Sequence, residues 1–231
     1  MSTFLGTYAL TNASGFFFEC NGRLFLVTSR HVVIDEATQH LPDHIEIELH
    51  TDAADLTRYT AFSMPLYAKG KSLWRQGSDS GGDIDVAVVE IDRESIPDNA
   101  IVRAFTPAHI QASFGAVPVD APLLVVGFPL GFHDTVHHLP VVRSTGIASP
   151  YGIRFQGQGF FLTDARTHRG TSGAAVVMRD LAPTVGTSVL PWKLLGVHSS
   201  RMDMGNRDLV LDESLGLNCA WYADILLTLT Q

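Results

Sequence analysis

Three residues in one order can support acyl-transfer chemistry: His31, Asp85 and Ser172. A serine nucleophile needs a base within hydrogen-bond reach and a carboxylate that orients the base. It also needs backbone N–H groups aimed at the oxyanion that develops in the transition state. Gly170-Thr171-Ser172-Gly173 offers the hydroxyl and the donors. Glycines on both sides of Ser172 permit a sharp turn that aims the N–H groups of Gly170 and Ser172 into one concavity. Alone, the tetrapeptide reads as an ordinary Gly-Ser turn. In Leu26-Val27-Thr28-Ser29-Arg30-His31-Val32-Val33 a histidine directly follows an apolar strand, where a lone histidine is ordinarily a packed core residue. In Asp83-Ile84-Asp85-Val86-Ala87-Val88-Val89 a carboxylate stands at the mouth of another apolar strand, ordinarily a turn position. The order of the three raises them above these separate readings.

Short strands must hold these residues. Gly15–Cys20 and Arg23–Thr28 flank Asn21-Gly22, a strong hairpin signal. Ile45–Leu49 alternates apolar and polar residues, as a half-buried strand does. Val86–Ile91, Leu123–Gly127, Phe160–Thr163, Ala174–Met178 and Leu194–Val197 are apolar runs of strand length. Helical periodicity is confined to Trp221–Leu229. Strands and turns at this spacing predict an all-β sandwich or barrel. The proline-rich stretch Pro97–Pro122 is the internal boundary. It divides the chain into 1–105, a linker at 106–122, and 123–231. Lys69–Gly82 and Arg179–Pro191 read as exposed loops.

With 231 residues, 45% hydrophobic and 17% charged, the chain has the material for a sizeable core. A net charge of −8 with no Lys/Arg cluster argues against a nucleic-acid backbone or an anionic membrane as partner. Cys20 and Cys219 read as two buried thiols, with a pairing left open. The first residues carry neither a basic region nor a long apolar run, so a cytoplasmic protein is the expectation.

These motifs resemble the trypsin/chymotrypsin-fold serine peptidases, nearest the bacterial branch of high-temperature-requirement proteases and glutamyl endopeptidases. Thr28-Ser29-Arg30-His31-Val32-Val33 is similar to that family's Thr-Ala-x-His-Val motif, and Asp85-Val86-Ala87-Val88-Val89 to its Asp-Leu-Ala-Val-Leu strand. Thr163-Asp164-Ala165 followed by Gly170-Thr171-Ser172-Gly173 is similar to its Thr-Asp-Ala…Gly-Asn-Ser-Gly segment, and Gly127-Phe128-Pro129-Leu130-Gly131 to its Gly-x-Pro-x-Gly turn. The resemblance implies two six-stranded antiparallel β-barrels with a short C-terminal helix. His31 and Asp85 would come from the first barrel and Ser172 from the second, with Gly170 and Ser172 N–H forming the oxyanion hole. It favours Asp85 over Asp83, because Asp85 directly precedes the apolar run. It also implies a peptide or protein substrate and no cofactor or metal. Thr171 stands where trypsin has the aspartate that receives the freed N-terminus, so activation by cleavage is not expected. Ala174-Ala175 and His168-Arg169 are further departures from the pattern. The end of the sequence soon after Leu229 leaves no expectation of a C-terminal PDZ domain.

Thr167 and His198, the latter in Gly196-Val197-His198, resemble the pocket pair with which glutamyl endopeptidases hold a P1 glutamate, and Arg166 would add positive charge. This implies a preference for P1 Glu or Gln. His133-Asp134…His137-His138 has metal-ligand types but reads as a solvated polar loop. Ser172 lacks a Gly-x-Ser-x-Gly elbow, which disfavours an α/β-hydrolase. Two further readings stand beside the peptidase: a catalytically silent module that binds a peptide or protein, and an enzyme that waits for a partner to order the His168-Arg169 loop.

Overall fold

The computed structural model describes residues 1–111, 115, 117–181, 190–202 and 215–231. Parts of the expected linker and most of the expected 179–191 loop lie outside the described residues. In chain order the first half contains β1 (Ser2–Leu5), β2 (Tyr8–Asn12), β3 (Phe16–Cys20), β4 (Arg23–Thr28), α1 (Arg30–Val33), β5 (His44–His50), β6 (Tyr59–Pro65), β7 (Tyr67–Ala68), β8 (Lys71–Ser72), β9 (Trp74–Asp79), β10 (Gly82–Ile91) and β11 (Ala104–Phe105). The second half contains β12 (Pro122–Gly127), β13 (Val141–Gly146), β14 (Phe160–Thr163), β15 (Ala175–Arg179), β16 (Trp192–Arg201), β17 (Asn218–Tyr222) and α2 (Ile225–Leu229).

The fold is mostly β. The first half distributes its strands over a five-stranded sheet, β11-β3-β4-β10-β9, and a four-stranded sheet, β2-β1-β5-β6. The second half forms one six-stranded antiparallel sheet, β13-β12-β15-β16-β17-β14, with an antiparallel bridge between Ile147 and Thr163. One pair departs from the antiparallel expectation: β11 runs parallel to β3. No helix among the described residues is long and apolar enough to cross a membrane.

Local sequence explains the elements that carry the site. Asn21 and Gly22 both adopt positive φ, 52° and 76°, so the expected two-residue turn joins β3 to β4. β4 is buried on both faces and pairs with β10, with Thr28 opposite Ala87. That register brings the end of β4, just before His31, beside the start of β10, where Asp85 stands. The β9–β10 register breaks between Asp83 and Ala87, and Asp85 lies within the break. The expected 69–82 loop is instead largely strand, because Trp74–Asp79 pairs with β10. The expected C-terminal helix begins later, since Asn218–Tyr222 is taken up by the sheet.

An apolar cluster joins the halves: Phe18, Phe25, Val27 and Val86 belong to it together with Phe160, Leu162, Trp221 and Leu226. Helix α2 lies back over the first half, where Arg75 donates to the carbonyls of Leu229 and Gln231. Cys20 and Cys219 are buried free thiols, and burial pushes the Cys219 pKa up to about 11.

Candidate active site

His31 sits on α1, a single turn at the end of β4. The preceding Ser29 does not cap the helix with its side chain. Its hydroxyl donates instead to the carbonyl of His198 in the second half, at 3.2 Å. Asp85 accepts the backbone N–H of His31 at 2.9 Å and contacts His31 Nδ1 at 2.7 Å. A third donor, Ser199 Oγ on β16, also reaches this carboxylate. Asp83 is exposed. Burial alone would lower the His31 pKa, but the Asp85 hydrogen bond and charge, with Asp35 adding, outweigh it and raise it. Only the neutral imidazole accepts a proton, so kcat/KM should fall with acidification. Its midpoint should lie above the ordinary histidine value of about 6.5. A pH–rate profile with its acid limb centred below that value would contradict the pairing.

Ser172 lies at the tight turn before β15. Its Oγ donates to the carbonyl of Ser199 at 3.0 Å, and among the described residues no hydrogen bond joins it to His31. Gly170 and Gly173 both have φ +86°. A Cβ at Gly173 would lie 2.2 Å from Ser14 O, and one at Gly170 would lie 2.7 Å from Phe128 O, so both positions need glycine twice over. The carbonyl of Arg169 is held by Leu130 N–H. In a trans peptide the N–H opposes the carbonyl, so this bond turns Gly170 N–H away from Leu130. Gly170 N–H and Ser172 N–H make no hydrogen bond among the described residues, which leaves both donors free. Leu130 itself adopts φ 55°, a conformation uncommon outside glycine, in the Phe128–Gly131 turn.

Ser14 is the residue that ties these parts together, and the sequence reading missed it. Its N–H donates to Ser172 O at 2.9 Å, and its carbonyl accepts from Thr28 Oγ1 at 2.8 Å. Its hydroxyl donates to Gly170 O and accepts from Phe128 N–H, both at 2.8 Å. Ser14→Ala would leave the Phe128 N–H unpartnered, at a cost of about 1–3 kcal/mol. It should lower kcat by roughly 10–100-fold through misplacement of the Gly170–Ser172 segment. Melting curves and steady-state kinetics check this; an unchanged kcat in the folded variant would remove Ser14 from the positioning machinery.

The expected pocket residues are placed differently from one another. Thr167 is buried, and its hydroxyl proton goes to Asn218 Oδ1; Asn218 in turn donates to Ala165 O at 2.6 Å. Arg166 is exposed. His198 is buried, and its Nδ1 has no hydrogen-bond partner among the described residues. Burial, helped by repulsion from His31, lowers its pKa to about 4. Ser199 was also missed; its one signal was its place beside His198 on an apolar strand that ends at this site.

Residues 13–182 match the family model described as the trypsin-like peptidase domain. The chain belongs to that family. Solved structures of HtrA-type proteases share its fold. The protease AlgW with a tripeptide, in a variant form, aligns with 19% identity and a TM-score of 0.56, covering 100% of this chain and 57% of that one. AlgW with a tripeptide gives 20% and 0.50, covering 96% and 53%. The variant with a decapeptide gives 19% and 0.50, covering 96% and 49%. The trypsin-like chain thus spans about half the length of these neighbours. No curated protein sequence matches it.

Proposed function

We propose that this protein is a serine endopeptidase that hydrolyses peptide bonds through an acyl-enzyme. The observation that carries this reading is the hydrogen-bonded pair of His31 Nδ1 and Asp85, with Ser172 on the facing loop and two unengaged N–H groups beside it. Ser172 Oγ attacks the scissile carbonyl as His31 takes its proton. His31 then protonates the leaving amine and activates the water that hydrolyses the ester. Asp85 holds the tautomer with Nδ1–H and stabilises the imidazolium. Gly170 and Ser172 N–H donate to the oxyanion. The reading takes each half as a barrel, a view supported in the second half by the Ile147–Thr163 bridge between its edge strands. The AlgW structures hold a tripeptide or a decapeptide, which agrees with a peptide substrate. A fluorophosphonate probe tests the proposal directly: it should label the parent at Ser172 and leave Ser172→Ala unlabelled. A folded parent that resists the probe would support the silent-module reading.

One observation favours a resting state. Ser172 Oγ points to Ser199 O, so a substrate or a partner has to turn it toward His31 before attack.

We assign P1 recognition to His198, with Glu and Gln preferred over Lys and Leu. The place of His198 next to Ser199, whose carbonyl holds Ser172 Oγ, supports this, whereas Thr167 is committed to Asn218 and Arg166 faces solvent. A neutral imidazole offers a donor but no charge. Gln therefore needs no protonation, while Glu is favoured by an imidazolium. With the His198 pKa held at about 4, the imidazole stays neutral from pH 8 to 5.5, so the Glu/Gln ratio in kcat/KM should stay flat over that range. His198→Ala should lower kcat/KM on both substrates, relative to Leu, by on the order of 10²-fold. A library profile dominated by Arg/Lys or large apolar P1 residues would refute the pocket and leave the triad untouched.

A further inference from the structure

The loop after the Phe128–Gly131 turn meets the first half at a cleft of about 370 Å³. Glu48 of β5, His133 and His138 line it, each offering one ligand atom, and these atoms all lie within 4.8 Å of one another. We propose that Glu48, His133 and His138 form a binding site for a divalent transition-metal ion of the Zn²⁺ class, bridging the two halves of the chain.

The donor set selects the ion. Two imidazoles and one carboxylate suit zinc and its neighbours, whereas magnesium and calcium take oxygen ligands. Around a tetrahedral zinc with ligands at about 2.0–2.1 Å, donors stand about 3.3 Å apart. The three groups therefore close on one ion by small side-chain rotations, with water completing the shell.

The surroundings prepare the ligands. His133 Nδ1 donates to Gly131 O at 2.7 Å, which fixes its tautomer and leaves the Nε2 lone pair for a metal. His138 Nδ1 shares a proton with Glu48 Oε2 at 2.6 Å; an ion replaces that proton, which leaves to solvent. The Tyr59 ring lies 3.8 Å from the His138 ring, centroid to centroid, and Phe128 lies edge-on to His133 at 5.7 Å. Asp134 accepts from Val136 and His137 N–H, and its own N–H bonds Leu139 O at 3.1 Å, so the loop between the two ligands is braced. His138 has φ 54°, a costly backbone state that this bracing maintains. His50 adds a bond to His137 O at 2.6 Å, which ties the loop to the end of β5. The same loop begins at Leu130, whose N–H holds the Arg169 carbonyl, so a loaded site would also fasten the oxyanion segment.

The test is titration of the chelator-treated full chain with ZnCl₂, read by competition with a chromophoric chelator and by melting temperature. One equivalent should bind at micromolar concentration or tighter and raise the melting temperature. His133→Ala, His138→Ala and Glu48→Gln should each weaken binding more than tenfold. His137→Ala, whose ring pairs with Asp134 outside the cluster, should change it less than twofold. The His133→Ala/His138→Ala double variant should lose both binding and the thermal shift. If that variant fails to fold, the exposed Glu48→Gln decides. Absence of saturable binding up to 100 µM zinc, or binding equal to the parent's in the deciding variant, overturns the site.

Discussion

Ser172→Ala and His31→Ala should each lower amidase kcat by about 10⁴–10⁶-fold while the protein stays folded. The structure separates the chemical loss from the structural one. Among the described residues Ser172 Oγ has a single partner, the Ser199 carbonyl, so its removal leaves no buried donor stranded. The His31 side chain is 38% exposed, and without it Asp85 still accepts from the His31 backbone N–H and from Ser199 Oγ. Neither substitution should shift the melting temperature by more than a few degrees, the effect of losing about one net hydrogen bond in a chain of this size. Near-parental turnover by a folded Ser172→Ala protein would end the serine-peptidase proposal.

Asp85→Asn should lower kcat by roughly 10⁴-fold, the second largest effect. Three donors converge on the Asp85 carboxylate: His31 N–H, His31 Nδ1–H and Ser199 O–H. An asparagine has one acceptor oxygen, and its NH₂ group must face one of these donors. The imidazole escapes the conflict by moving its proton to Nε2, the tautomer that cannot take the Ser172 proton. Asp83→Asn, at an exposed position, should leave kcat within twofold. Reversed outcomes would transfer the orienting role to Asp83. Ser199→Ala removes only one of the three donors and should fall between the two.

The sequence displayed the parts of this site whose signals are local. The buried strand β4 and the Asn21-Gly22 turn were legible because apolar runs and a paired positive-φ signal need no distant partner to be read. Strands β2 and β13 were not, since β2 is exposed, β13 has no buried residue, and both carry polar residues that a loop would also carry. Ser14 and Ser199 are hydroxyls without a motif; their roles exist only once the halves meet. Thr167 shows the same limit from the other side. Its residue type suited a pocket, but Asn218, 51 residues later, takes its proton. Glu48 and His138 lie 90 residues apart, so nothing local announces their contact.

The bonds from Ser14 to Ser172 and Gly170, from Ser29 to His198 and from Ser199 to Asp85 all cross the seam between the halves. Under the proposed mechanism, catalytic competence is therefore a property of the closed seam and not of either half. During synthesis the segment bearing His31 and Asp85 emerges well before Ser172, and it has no nucleophile to direct. Under the proposed mechanism, a chain assembled this way is silent in each incomplete state through which it passes.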